Sequence, residues 1–203
     1  MTNLSKYAWS KAGRGNKKKR DEQTRTLSAF HEAAHAVAIE LYGAGIGYTC
    51  IDGPNVHEIG VPLAPGWSGK STGFTKRRVT PGGFWTASDI PNELLIATAG
   101  PLLEHHASVH LYARDIDPNV FNSELDAFWH HFKVTDTATM DAYEAEATKK
   151  VEHLFKDARV QAAWNQIAHE LHEHGEVSGD RVREIMTSTE ATNYRENERE
   201  QAS

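Results

Sequence analysis

Cysteine is almost missing from this chain: Cys50 is the only one in 203 residues. An internal disulfide and a cysteine-rich zinc module are therefore excluded, and any metal must be held by histidine and carboxylate. Long apolar runs are missing as well. None approaches the ~20 residues that span a bilayer, and Met1-Thr2-Asn3-Leu4-Ser5-Lys6 lacks the apolar stretch of a signal peptide. The expectation is a soluble cytoplasmic protein with no membrane partner. Acid is absent from the first twenty residues, which carry Lys6, Lys11, Arg14, Lys17, Lys18, Lys19 and Arg20; with a whole-chain charge of −6, the remainder carries −13. Residues 1–20 read as a disordered basic arm. Nucleic-acid contact through counterion release is the rival reading for the arm. It is disfavoured because the body is acidic and no recognised nucleic-acid-binding fold accompanies the lysines.

Histidine, in contrast, is plentiful, with 12 residues. Two of them fall in His31-Glu32-Ala33-Ala34-His35. On a helix, positions i and i+4 share a face, so the two imidazoles can grip one metal ion. Glu32 projects to the edge of that face, where it can take a proton from an activated water without being a ligand. The surrounding sequence supports a helix over Thr26 to Gly43: Leu27, Phe30, Ala33 or Ala34, Val37 and Leu41 recur at helical spacing, and Gly43 suits a C-cap. A histidine pair serving only structure is the competing reading. A buried pair of that kind costs free energy that a bound metal removes.

With ordinary apolar and charged fractions, 203 residues build one good core, so a single domain over 21–187 is expected. Its class is α+β and mostly α-helical, with the motif helix beside a small β-sheet and a helical C-terminal half. Strands are expected at Ile46 to Ile51, Ile59-Gly60-Val61 and Gly73-Phe74-Thr75, where β-branched and aromatic residues alternate with glycine and proline. A second helix opens at Ser88 or Asp89 with Pro91 in its first turn and runs to Tyr112, kinked or broken at Gly100-Pro101. Ser123 with Asp126 resembles a capping box for a short helix through Lys133. Ala138 to Gly175 reads as largely helical, with Trp164, Ile167, Ala168 and Leu171 inward. Ser178 caps a last helix carrying Val182, Ile185 and Met186. Residues 188–203 read as a flexible tail.

A catalytic zinc needs a third protein ligand and an open position for water. The short helix after Ser123 has an inward stripe of Leu125, Phe128, Trp129 and Phe132, and Glu124 falls on its side. Glu124 is the first choice and Asp126 the second. A first-turn acid serving only the helix dipole is the other account of Glu124. Glu104, amid Leu102, Leu103, His105 and His106, is placed to hydrogen-bond the far nitrogen of a ligating histidine. In the adjacent pairs His105/His106 and His130/His131, neighbours do not share a face, so one of each is expected in solvent.

Taken together, these segments resemble the FtsH-type zinc metallopeptidases. His31-Glu32-Ala33-Ala34-His35-Ala36-Val37 is similar to that family's motif helix, Gly73-Phe74-Thr75 to its Gly-aromatic-Thr strand, and Ala99-Gly100-Pro101-Leu102-Leu103-Glu104 to its Gly-x-x-x-Glu helix. Ser123-Glu124-Leu125 sits where the family's third ligand occurs. Pro101 replaces a common arginine and Glu124 the usual aspartate. Neither a Gly-rich phosphate-binding loop nor a membrane anchor is present in this sequence, so the likeness is to short relatives of the peptidase domain.

The resemblance implies a zincin-like fold and an ATP-independent endopeptidase using Zn2+, with His31, His35 and Glu124 as ligands and Glu32 as proton acceptor. It also implies an extended or unfolded peptide substrate laid along Gly73, Phe74 and Thr75. A non-catalytic zinc-binding interaction module on the same scaffold is the alternative. An oligomer is compatible with the sequence.

Overall fold

The computed structural model describes residues 17–43, 45–51, 74–77, 90–113, 125–126, 128–130 and 132–195. Five helices and three strands are the principal elements: α1 (Lys17–Tyr42), β1 (Ile46–Cys50), β2 (Phe74–Arg77), α2 (Ile90–Tyr112), α3 (Thr137–Leu154), α4 (Ala158–His174), β3 (Glu176–Ser178) and α5 (Gly179–Ser188). The architecture is α+β and mostly helical, as composition and periodicity predict. No helix among the described residues is long and apolar enough to cross a membrane.

Helix α1 is the centre of the molecule. Ala29, Ala33, Ala34, Ala36 and Ala38 are fully buried together with Phe30 and Val37, so the helix is apolar on nearly every side, the signature of an element enclosed by others. Alanine combines the best helix propensity with the smallest side chain after glycine, which lets neighbouring helices approach closely. Helix α2 supplies Leu95, Ala99, Leu103 and Ala107 to this core, α4 supplies Val160, Ala163, Trp164, Ile167, Ala168 and Leu171, and α5 supplies Val182, Ile185 and Met186. A second apolar cluster joins Ile90 and Leu94 of α2 to Leu125, Trp129 and Ala147, with Phe128, Phe132, Met140 and Tyr143 against it.

The sheet has the order β2-β1-β3 and is antiparallel throughout. Thr49 stands opposite Thr75 on one side and Val177 on the other, and Ile46 and Thr49 are fully buried. A register shift lies between Ile46 and Tyr48. Beyond β1, the Ile51 amide donates to the Gly175 carbonyl at 2.8 Å. Gly175 ends α4 at φ 83°, a left-handed conformation that suits glycine.

Three expectations are corrected. Helix α1 begins at Lys17 rather than Thr26, so the last four residues of the supposed disordered arm are helical; Lys, Arg, Glu and Gln are good helix formers even without an apolar stripe. Helix α2 is one helix through Pro101, because the stripe from Leu95 to Ala107 packs on the same core on both sides of the proline. The Ala138 to Gly175 stretch is largely helical as expected, in the two helices α3 and α4, and Asp157 caps α4 by accepting from the Arg159 and Val160 amides. The tail is not free from residue 188: Ala191 and Tyr194 are buried, and Arg195 donates to the Leu41 carbonyl at 2.9 Å while lying over the Tyr42 ring. The expected strand at Ile59-Gly60-Val61 and the expected cap at Ser123 lie outside the described residues.

Candidate metal centre

His31 and His35 face α2 from one side of α1, with ring centroids 4.8 Å apart and planes at 73°. The sequence places them one turn apart; α2 fixes how they point. His35 Nδ1 lies 2.8 Å from the Ile96 carbonyl oxygen, an atom that can only accept, so Nδ1 carries the proton. His31 Nδ1 lies 2.8 Å from Glu104 Oε2, and an ionised carboxylate likewise only accepts. Both rings therefore carry hydrogen on Nδ1, which leaves Nε2 of each turned toward the other ring. The two Nε2 atoms meet 3.1 Å apart.

At that separation the contact is satisfied either by a proton on one ring donating to the other or by a metal ion that takes a lone pair from each. Nitrogens each 2.0–2.1 Å from a tetrahedral zinc stand about 3.3 Å apart, so the pair has the spacing a metal requires. Space is provided by Gly100. A Cβ built there would overlap His35 Nε2 and stand 2.7 Å from His31 Nε2. Ile96, Gly100 and Glu104 recur every four residues, so a single stripe of α2 supplies an acceptor, a gap and a second acceptor. By tautomer, spacing and room, the residues present fit a divalent metal.

Glu32, beside His31 on α1, is 6% exposed. The helix below is held by Trp164 of α4, whose indole N–H donates to the Phe30 carbonyl at 2.9 Å and whose ring lies 5.0 Å from that of Phe30. At its polar end, α1 is tied to the last turn of α4, where Arg25 Nε donates to the His172 carbonyl at 2.9 Å.

Glu124, the first choice for third ligand, lies outside the described residues. Its neighbour Leu125 is buried and packs with Ile90 and Leu94, on the N-terminal half of the helix that carries Ile96, Gly100 and Glu104. Asp126 is exposed. Among the described residues, no three His, Cys, Asp or Glu side chains gather as a metal site, so Asp126 is not brought to the two histidines. Gly73 also lies outside the described residues, whereas Phe74 and Thr75 open β2, opposite Cys50 and Thr49. Among the described residues β2 is an outer strand of the sheet. His105 and His106 are both exposed, as is His130.

Two contributors to the site escaped the sequence reading. The Ile96 carbonyl is a backbone atom, and its role has no residue signature. Gly100 did leave a trace, since glycine inside a helix costs about 1 kcal/mol relative to alanine and a buried one implies close approach. In comparisons with known proteins, no family model matches this chain, and no curated protein matches it either.

Proposed function

We propose that the protein is a zinc-dependent endopeptidase that hydrolyses extended or unfolded peptide segments, with the chemistry of the FtsH-type metallopeptidases its motifs resemble. The observation that carries this reading is the meeting of His31 Nε2 and His35 Nε2 at 3.1 Å, with both Nδ1 atoms committed as donors. His31 and His35 would hold the ion, and Glu124 would complete the ligand set. Zinc, when bound, supplies the Lewis acidity that makes water a nucleophile near neutral pH.

The protein's own groups do the rest. Glu104 and the Ile96 carbonyl hold the imidazoles in the ligating tautomer. The Glu32 carboxylate accepts a proton from the attacking water and delivers it to the amine nitrogen as the peptide C–N bond breaks. Enclosure of Glu32 within the fold raises the local strength of its electrostatic interactions. An outer strand such as β2 offers backbone groups to an extended peptide.

The test joins elemental analysis of the purified protein with cleavage of denatured casein. Loss of one zinc equivalent in a His31→Asn/His35→Asn variant, together with casein cleavage stopped by a chelator, supports the proposal. Zinc without cleavage selects the non-catalytic binding module instead. Absence of metal from the native protein overturns both.

A further inference from the structure

A second histidine pair repeats the spacing of the first on the outer side of α2. His106 and His110 are four residues apart, exposed, and their rings lie 4.2 Å apart with planes at 65°. The ligating pair on α1 has nearly the same relation, 4.8 Å and 73°. The environment differs. Around His31 and His35 the Nδ1 atoms are consumed by acceptors of α2, whereas neither ring of the outer pair hydrogen-bonds another group among the described residues.

We propose that His106 and His110 form a second, solvent-facing site for a divalent transition-metal ion of the zinc and copper class. Imidazole suits these ions, and hard oxygen-seeking ions such as Mg2+ are disfavoured by a pair of nitrogens. Two rings on successive turns of a formed helix act as a chelate, because the helix has already fixed the second imidazole near the ion held by the first. Water fills the remaining positions, so the site exchanges metal more readily than an enclosed one. Partial desolvation of the ring, then the neighbouring His110 and His105, hold the His106 pKa below the ordinary histidine value, which favours the neutral form that carries a lone pair. His105 stands beside the pair but off its face, and takes no part.

This proposal does not depend on the catalytic reading. Zinc is titrated into the metal-stripped full-length protein, and uptake is compared in wild type, His106→Asn, His110→Asn, His105→Asn and His31→Asn/His35→Asn variants. Circular dichroism verifies that each variant is folded. The expected result is that His106→Asn and His110→Asn each weaken the same one equivalent by about tenfold or more, the scale of losing one arm of a chelate. His105→Asn leaves it intact, and the α1 double variant retains it. A parallel Cu2+ titration read by electron paramagnetic resonance should show coupling to two nitrogens at this site, and to at most one in either single variant. Identical uptake in wild type and the two single variants overturns the proposal. So does a loss in His105→Asn equal to theirs.

Discussion

Glu104 Oε2 accepts from His31 Nδ1 at 2.8 Å across a separation of 73 residues. A carboxylate in that position orients the ring and raises the basicity of the opposite nitrogen. Replacement of Glu104 by alanine is expected to weaken metal affinity about 10–100-fold, measured by competition with a chromophoric chelator. Glutamine, which keeps an accepting oxygen but loses the charge, should fall between. Equal affinities in all three proteins would remove Glu104 from the site.

Gly100→Ala separates metal binding from folding. The added methyl overlaps His35 Nε2, so the imidazoles must turn away from each other. Alanine also raises helix propensity by about 1 kcal/mol at an interior position. The variant should remain helical by circular dichroism yet bind no zinc on α1. Retained zinc at wild-type affinity would mean that the metal sits elsewhere.

Glu32→Gln preserves shape and hydrogen-bonding capacity and removes the proton acceptor. Zinc content is expected to stay at the wild-type level while casein cleavage falls by about 10²-fold or more, the contribution of a positioned acid–base group. Unchanged turnover would reassign the base.

Acid should weaken the fold through Asp157 and Glu170. The Arg159 guanidinium holds the Asp157 carboxyl below its ordinary 3.8, with burial opposing and the Arg159 amide adding. Arg181 does the same for Glu170, against an ordinary 4.5. Because both folded values are depressed, the unfolded chain binds these protons first; the stabilisation is complete above the ordinary values and is lost as pH falls through the depressed ones. The urea midpoint should therefore stay level above the ordinary carboxylate range and drop as the pH falls below about 4.5. Asp157→Asn keeps a competent cap for α4 and should show a smaller drop. Asp157→Ala loses the cap as well, at a cost of about 1 kcal/mol at neutral pH.

Legibility in the sequence followed the reach of each signal. Helical periodicity identified the buried face of α4, where Trp164, Ile167, Ala168 and Leu171 are all inside, and Gly175 and Ser178 marked its end and the next beginning. Strand β3 spans only Glu176–Ser178, too short for alternation to register. Pro101 suggested a break because a local rule cannot weigh the tertiary packing that holds α2 together. Ala191 and Tyr194 are isolated apolar residues in a polar stretch, and only docking on the core reveals them. At the site, the i, i+4 histidines and Glu104 were readable as side chains, whereas the Ile96 carbonyl was not, since every residue has one.

Helix α1 is fastened by partners that come much later in the chain: Trp164 on Phe30, the His172 carbonyl on Arg25 and Arg195 on Leu41. A nascent chain that has emerged only as far as Tyr112 already owns both imidazoles, Gly100 and Glu104, yet has none of these fastenings. Truncation anywhere between Tyr112 and Trp164 would keep the motif helix and its α2 neighbours, yet remove all three of these long-range hydrogen bonds.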